Sequence, residues 1–211
     1  QLARGGRLQM MRVRGRDQMI RDVPRRKFDV EWVDIEKPEM GHVNDEHQDS
    51  SGVVSQGLAG GATAFSRLEG CWLEDGMVAF TSTNGGNAGR GQVFRMIPSE
   101  QTVEMIYEAP SAHLLDHPDN VTIAPGGIVV ICEDGSRYGQ MITALKPDGQ
   151  LVGIAQNNVD LAGQHNGFAG DFRESEWCGA CFSPDGEWLF ANIQKPGITV
   201  AITGPWESLF A

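Results

Sequence analysis

The chain has 211 residues, 40% hydrophobic and 21% charged, with 27 glycines against two tyrosines, enough for one domain with its own core and unlike a coiled coil or a disordered chain. Its formal charge is −11, and because residues 1–27 hold nine basic and two acidic groups, the remainder stands at −18. A body that acidic repels phosphate backbones, so no nucleic-acid partner is expected, and no eighteen-residue apolar run exists to form a membrane span.

In chain order, the sequence begins at Gln1 inside a Gly-Arg-rich stretch with no export signal, and reads as a fragment or a processed product. Residues 1–55 offer two candidate strands, Leu8–Val13 and Phe28–Ile35, followed by an acid-rich stretch without a clear period, and are expected to form an incomplete blade with an acidic loop. His42 and His47 fall in that loop, where nothing fixes ligand geometry. From residue 56 to 211 the apolar runs are short, rich in Val, Ile, Phe and Trp, and separated by Gly, Pro, Asp and Asn turns, which is strand punctuation. Candidate strands are Met77–Ser82, Val93–Ile97, Val103–Tyr107, Val121–Ala124, Ile128–Glu133, Met141–Leu145, Leu151–Ala155, Ala180–Ser183, Trp188–Ile193 and Ile198–Thr203. Asn84-Gly-Gly86 and Gly89-Arg-Gly91 lack the helix and lysine of a phosphate loop and read as a hairpin connection. Asn157–Ser175 reads as a loop, and the aspartates of Lys146-Pro-Asp-Gly149 and Ser183-Pro-Asp-Gly186 as turn residues bonding the local backbone. Cys71, Cys132, Cys178 and Cys181 read as buried small hydrophobes rather than a metal or redox set. Trp72, Trp177, Trp188 and Phe190 read as packing between blades.

A recurrence organises these strands. Glu69-Gly-Cys-Trp-Leu-Glu-Asp-Gly76 leads into MVAFTS, Asp119-Asn-Val-Thr-Ile-Ala-Pro-Gly126 into GIVVICE, and Gly179-Ala-Cys-Phe-Ser-Pro-Asp-Gly186 into EWLFANI. The turn glycines Gly76, Gly126 and Gly186 are spaced as in four-stranded propeller blades, so each copy predicts an inner hairpin. The fold class is therefore all-β, a β-propeller forming a partial ring of about three to four blades. In a propeller, residues just before each inner strand converge on one channel mouth. Glu69 and Asp119 hold the same repeat position, and Glu176 lies three residues before it in the third copy.

Carboxylates gathered there repel one another unless a cation sits between them, and oxygen ligands favour hard cations such as Ca²⁺ over zinc. Solvated turn acids are the alternative reading. Asn120 and Asn157 offer neutral oxygens, and Glu133, closing its strand, is placed to reach the same face. Arg67 lies two residues before Glu69, on the same side of an extended chain, where a guanidinium beside a dication holds an oxyanion; an ordinary surface ion pair is the alternative.

Phe65-Ser-Arg-Leu-Glu-Gly70, Pro118-Asp-Asn120, Cys132-Glu-Asp-Gly135, Ala144-Leu-Lys-Pro-Asp-Gly149, Glu176-Trp-Cys-Gly-Ala-Cys-Phe-Ser-Pro-Asp-Gly186 and the tail from Asn192 to Trp206 together resemble the C-terminal half of the PhoX-like alkaline phosphatase family, from about Gln56 to Trp206. The resemblance implies a β-propeller enzyme that hydrolyses phosphate monoesters with calcium and iron. It further implies a periplasmic or secreted full-length parent, Glu69 as a metal ligand and Arg67 as the catalytic group on the substrate phosphate. Asp119, Asn120, Glu133 and Glu176 would join the metal cluster, and Asn157 the substrate contacts. The family's N-terminal half, with its iron-binding cysteine, has no counterpart here, so this portion is expected to be inactive alone or to associate to close its ring. Two other classes stay open: a calcium-dependent propeller lactonase, which would not need Arg67, and a non-catalytic scaffold, which would bind no metal.

Overall fold

The computed structural model describes residues 5–40, 52–135 and 139–210, with the side chain of His165 left aside; His42 and His47 lie outside them. Strands β1 (Gln9–Val13) and β2 (Lys27–Asp34) form an antiparallel pair, and helix α1 (Val53–Ala59) follows. Strands β3 (Leu68–Glu74), β4 (Met77–Ser82), β5 (Gln92–Ile97) and β6 (Thr102–Glu108) then meander, and β2 pairs with β6, giving a six-stranded sheet of order β1-β2-β6-β5-β4-β3. The second sheet holds β7 (Pro118–Ala124), β8 (Ile128–Glu133), β9 (Met141–Leu145) and β10 (Leu151–Gln156). A small hairpin of β11 (Asp160–His165) and β12 (Phe168–Asp171) precedes the third sheet of β13 (Trp177–Phe182), β14 (Trp188–Ile193) and β15 (Ile198–Thr203), and α2 (Trp206–Phe210) ends the described chain. The fold is all-β, a partial propeller.

The hairpins β3-β4, β7-β8 and β13-β14 fall on the three repeats. Their turn glycines have φ of 74°, 87° and 74°, left-handed values that a side chain rarely adopts, and this is why each turn needs Gly76, Gly126 or Gly186. Burial follows the stacking. Strand β8, sandwiched between neighbouring sheets, is buried at all six positions, whereas β15, covered on one face, alternates. Ala79 and Val93 meet Val121, Ile123, Val129 and Ile131 at the first seam, and Val130, Cys132 and Ile142 meet Leu189, Ala191 and Ile193 at the second. At the outer flank of the first sheet, Met19 and Phe65 close over Phe28, Phe80 and Phe94, with the Arg16 and Arg26 guanidinium groups stacked on Phe28.

Three expectations change. Trp188 and Phe190 are 41% and 39% exposed, because alternation along β14 turns them away from the seam that buries Leu189, Ala191 and Ile193. Cys71 is exposed rather than buried, while Cys132 is a core residue; all four cysteines are free. The loop expected at 157–175 contains the β11-β12 hairpin, turned by Asn166 and Gly167 with φ of 51° and 78°, the asparagine-glycine pattern of a tight hairpin. The turn aspartates behave as expected: Asp148 accepts the Gln150 N–H at 2.8 Å and Asp185 the Glu187 N–H at 3.1 Å.

Candidate metal centre

The inner strands lie side by side, β3 against β7 and β7 against β13. Each carries a register irregularity at the same place, between Leu68 and Cys71, between Pro118 and Val121, and between Cys178 and Cys181. Such bulges bend a strand and re-aim a side chain. Two staples hold the bends together. The Thr81 hydroxyl accepts the Gly70 N–H at 3.0 Å and donates to the Asp119 backbone carbonyl at 2.6 Å, and the Asn120 side-chain oxygen Oδ1 accepts the Ala180 N–H at 3.0 Å. Gly70 allows this approach, since a Cβ there would collide with the Asp119 carbonyl oxygen and the Val121 nitrogen.

At the bends the chain gathers acids. Asp119 in β7, Asp134 just past β8 and Glu176 just before β13 each bring a carboxylate oxygen within 4.8 Å of the others. Asp134 is fixed through its backbone, whose N–H donates to the His117 carbonyl at 3.0 Å. Glu176 takes a hydrogen bond from the Gln194 amide. Partial burial, then the charges of Asp134 and Asp119, push the Glu176 carboxyl up to about 7. Asp119 is also raised, first by burial and then by Glu69 and Asp134, with Arg67 opposing. Arg67 bonds Glu69 at 3.3 Å from a left-handed backbone, φ 44°, where its carbonyl accepts the Thr83 N–H. Arg67, Glu69, Asp119, Asp134 and Glu176 thus act on one another electrostatically at a single mouth. Beside them opens a cleft of about 450 Å³ lined by Asp134, Glu176, Phe172, Gln194 and Lys195 among others.

Other expected site residues have different partners. Glu133 is fully buried, one oxygen accepting the Asp116 N–H and the other the Met141 N–H, each at 3.0 Å. Asn157 is 1% exposed; its amide donates to the Phe172 and Ser175 carbonyls and its oxygen accepts the Val159 N–H. The Asn120 oxygen, the atom that would ligate a cation, is engaged in the second staple. Asp134, beside Glu133 in Cys132-Glu-Asp-Gly135, is a site residue the sequence does not single out; consecutive residues leave an extended chain on opposite sides, and the outward one joins the cluster. Cys178, near Glu176 and Asp119, has its thiol pushed up by burial and by those charges, which disfavours a thiolate ligand there.

The family described as alkaline phosphatase PhoX matches residues 1–197. The chain belongs to the PhoX alkaline phosphatase family. The match begins well before Gln56, so the PhoX likeness includes the β1-β2 pair as well as the motif-bearing blades. Among solved structures, PhoX of Pseudomonas fluorescens, in complex with vanadate, a transition state analogue, superposes with a TM-score of 0.59 at 19% identity, over 94% of this chain and 44% of that one. The chain therefore spans less than half the length of that PhoX protein, and the likeness shows the shared fold. No curated protein sequence matches.

Proposed function

We propose that this chain supplies part of the metal-dependent site of a phosphate-monoester hydrolase of the PhoX type. The observation that carries the reading is the meeting of Asp119, Asp134 and Glu176 within 4.8 Å next to the Arg67–Glu69 pair. Three carboxylates at that separation, two of them pushed up first by burial and then by neighbouring carboxylates, form a donor set that favours a bound hard cation over empty solvent. Asp119, Asp134 and Glu176 would hold it, with Glu69 at its edge. Calcium suits these oxygens; iron, the second metal the resemblance implies, would depend on ligands beyond this chain.

A bound cation polarises the phosphoryl oxygens and neutralises charge that develops on them. Arg67, 53% exposed at the side chain and tied by its backbone to Thr83, presents a fixed guanidinium to the equatorial oxygens of the ester. Gln194 orients Glu176, and the cleft beside it, with Phe172 and Lys195 in its wall, receives the alcohol portion. Arg67 favours phosphate over a neutral lactone, which gives a guanidinium nothing to neutralise. The substrate is a small-molecule phosphate ester and the full-length parent is periplasmic or secreted. Among the described residues no helix is long and apolar enough to cross a membrane. The open face carrying Trp188 and Phe190 associates with further blades to close the ring, and turnover requires them.

Calorimetric titration of the EDTA-stripped chain with Ca²⁺ at pH 8 tests the centre. Saturable binding, weakened about tenfold or more in Asp119→Asn and in Asp134→Asn, is expected; no binding, or binding indifferent to both changes, sinks the proposal. Robust hydrolysis of 4-nitrophenyl phosphate by the chain alone with calcium and iron would overturn the requirement for further blades.

A further inference from the structure

Asparagine precedes glycine twice in this chain, at Asn84-Gly85 and at Asn166-Gly167, and the fold treats the two pairs in opposite ways. Glycine leaves its own backbone nitrogen unshielded by a side chain and its backbone free to turn, so that nitrogen can reach the amide carbon of the preceding asparagine. Asn84-Gly85 is locked against this. Gly85 is buried, its N–H donates to the Ser82 carbonyl at 3.4 Å, and the Gly86 N–H donates to the Ile20 carbonyl at 2.8 Å. The Asn84 Oδ1 accepts the Ser66 hydroxyl at 2.6 Å, and the packing is close enough that a Cβ at Gly85 would strike the Gln92 and Ser82 side chains.

Asn166-Gly167 has none of these restraints. Both residues are exposed at the tip of the β11-β12 hairpin, and among the described groups none is hydrogen-bonded to the Asn166 amide or the Gly167 N–H. The space around Gly167 is open, since a Cβ there would meet nothing within 4 Å. Little holds the hairpin shut. It is a two-stranded sheet, its register shifts between Ala162 and His165, and every position of β12 is exposed. Two strands without a buried face are marginal in water, so the tip opens at small cost in free energy.

We propose that Asn166 is a site of spontaneous deamidation, selected by the fold over Asn84. The Gly167 nitrogen loses its proton and bonds to the Asn166 Cγ; the Cγ–Nδ2 bond breaks, and the amide nitrogen leaves as ammonia, taking up a proton. Water then opens the cyclic succinimide at either carbonyl, giving aspartate or its isoaspartyl isomer. Both products add a negative charge. The isoaspartyl form also routes the main chain through the former side-chain carbon and lengthens a two-residue turn on which the hairpin register depends. Strand β12 runs directly into Asp171 and Phe172 of the cleft beside Glu176, so that wall loosens as the chain ages. The base of the hairpin stays fixed by the Asn157 amide on the Phe172 and Ser175 carbonyls. The modification needs no metal and does not rest on the proposed hydrolysis.

The test is peptide mass spectrometry of the chain aged at pH 8 in EDTA, folded and, in parallel, unfolded in urea. In the folded chain the peptide holding Asn166 should show the amide-to-acid mass gain at least about tenfold faster than the peptide holding Asn84, the difference between a tip that opens freely and a buried turn that must unpack. In urea the two rates should converge, because both are then the same dipeptide in an open chain. The converted Asn166 peptide should separate into aspartyl and isoaspartyl isomers. Asn166→Gln, which would need a larger ring to react, should leave the mass of that peptide constant. No conversion at Asn166 in the folded chain, a rate no greater than that at Asn84, or a mass gain that persists in Asn166→Gln overturns the proposal. So does the same rate ratio in urea, which would assign the difference to flanking sequence, or an aspartyl product alone, which would mean direct hydrolysis.

Discussion

Two sets of acids stand a few residues apart in this chain and behave in opposite ways. Asp116 and Glu133 are fully buried yet satisfied: Asp116 accepts from Arg90 at 3.1 Å and lies 2.8 Å from His117 Nδ1, and Glu133 accepts two backbone N–H groups. Asp119, Asp134 and Glu176 are only half-buried, but they face one another. Burial alone therefore does not mark a site. A buried carboxylate whose lone pairs are filled by fixed donors is part of the frame, whereas half-buried carboxylates that face one another are the arrangement whose mutual repulsion the proposed cation would relieve.

The largest way to break that contrast is Glu133→Ala. It orphans the Asp116 and Met141 N–H groups in the interior and should cost about 3 kcal/mol, read as a lower urea midpoint with calcium present or absent. Gly70→Ala comes next. Its Cβ would drive β3 off the Asp119 carbonyl, costing about 2 kcal/mol and also weakening Ca²⁺ affinity, so one change touches both frame and site. Thr81→Val removes the hydroxyl that bridges Gly70 and Asp119 while keeping its shape, for about 1 kcal/mol.

The smallest effect sharpens the contrast by its sign. Glu176 sits near 7 in the folded chain against 4.5 for the free group, so between those values the folded state holds more protons than the unfolded one. Stability in EDTA should therefore fall as pH rises from about 4.5 to about 7, by roughly 1 kcal/mol or less once solvent screening is allowed for. Glu176→Gln should flatten that slope, and saturating Ca²⁺ should reverse the penalty at pH 8. Chemical unfolding across pH in EDTA checks both.

Much of this architecture is legible in the sequence. The repeat spacing of Gly76, Gly126 and Gly186 marks the inner hairpins, and apolar runs such as Ile128–Glu133 mark strands covered on both faces. What escapes is partner choice. Nothing local announces that Lys27–Asp29 pair with residues far along the chain in β6, and the β11-β12 hairpin is too exposed and glycine-rich to carry an apolar period. In the site, the sequence singles out Asp119 and Glu176, which lie together with Asp134, but it names Glu133 and passes over Asp134, since adjacent acids do not show which of them has backbone donors waiting. Asn120 and Asn157 escape for the same reason: an amide looks alike whether it staples strands or faces a ligand.

The bulge that recurs in all three inner strands lets the acids vary independently of the architecture. Because the irregularity is carried by the backbone, the residue riding on it changes without disturbing the ladder on either side. The first blade places Glu69 there, the second Asp119, and the third Gly179, with φ of 60°. A side chain at Gly179 would meet only the tip of Asn192, and aspartate tolerates that backbone better than most residues. Such a scaffold gains or sheds acidic groups at the mouth one substitution at a time, so the charge there can change while the sheets stay the same.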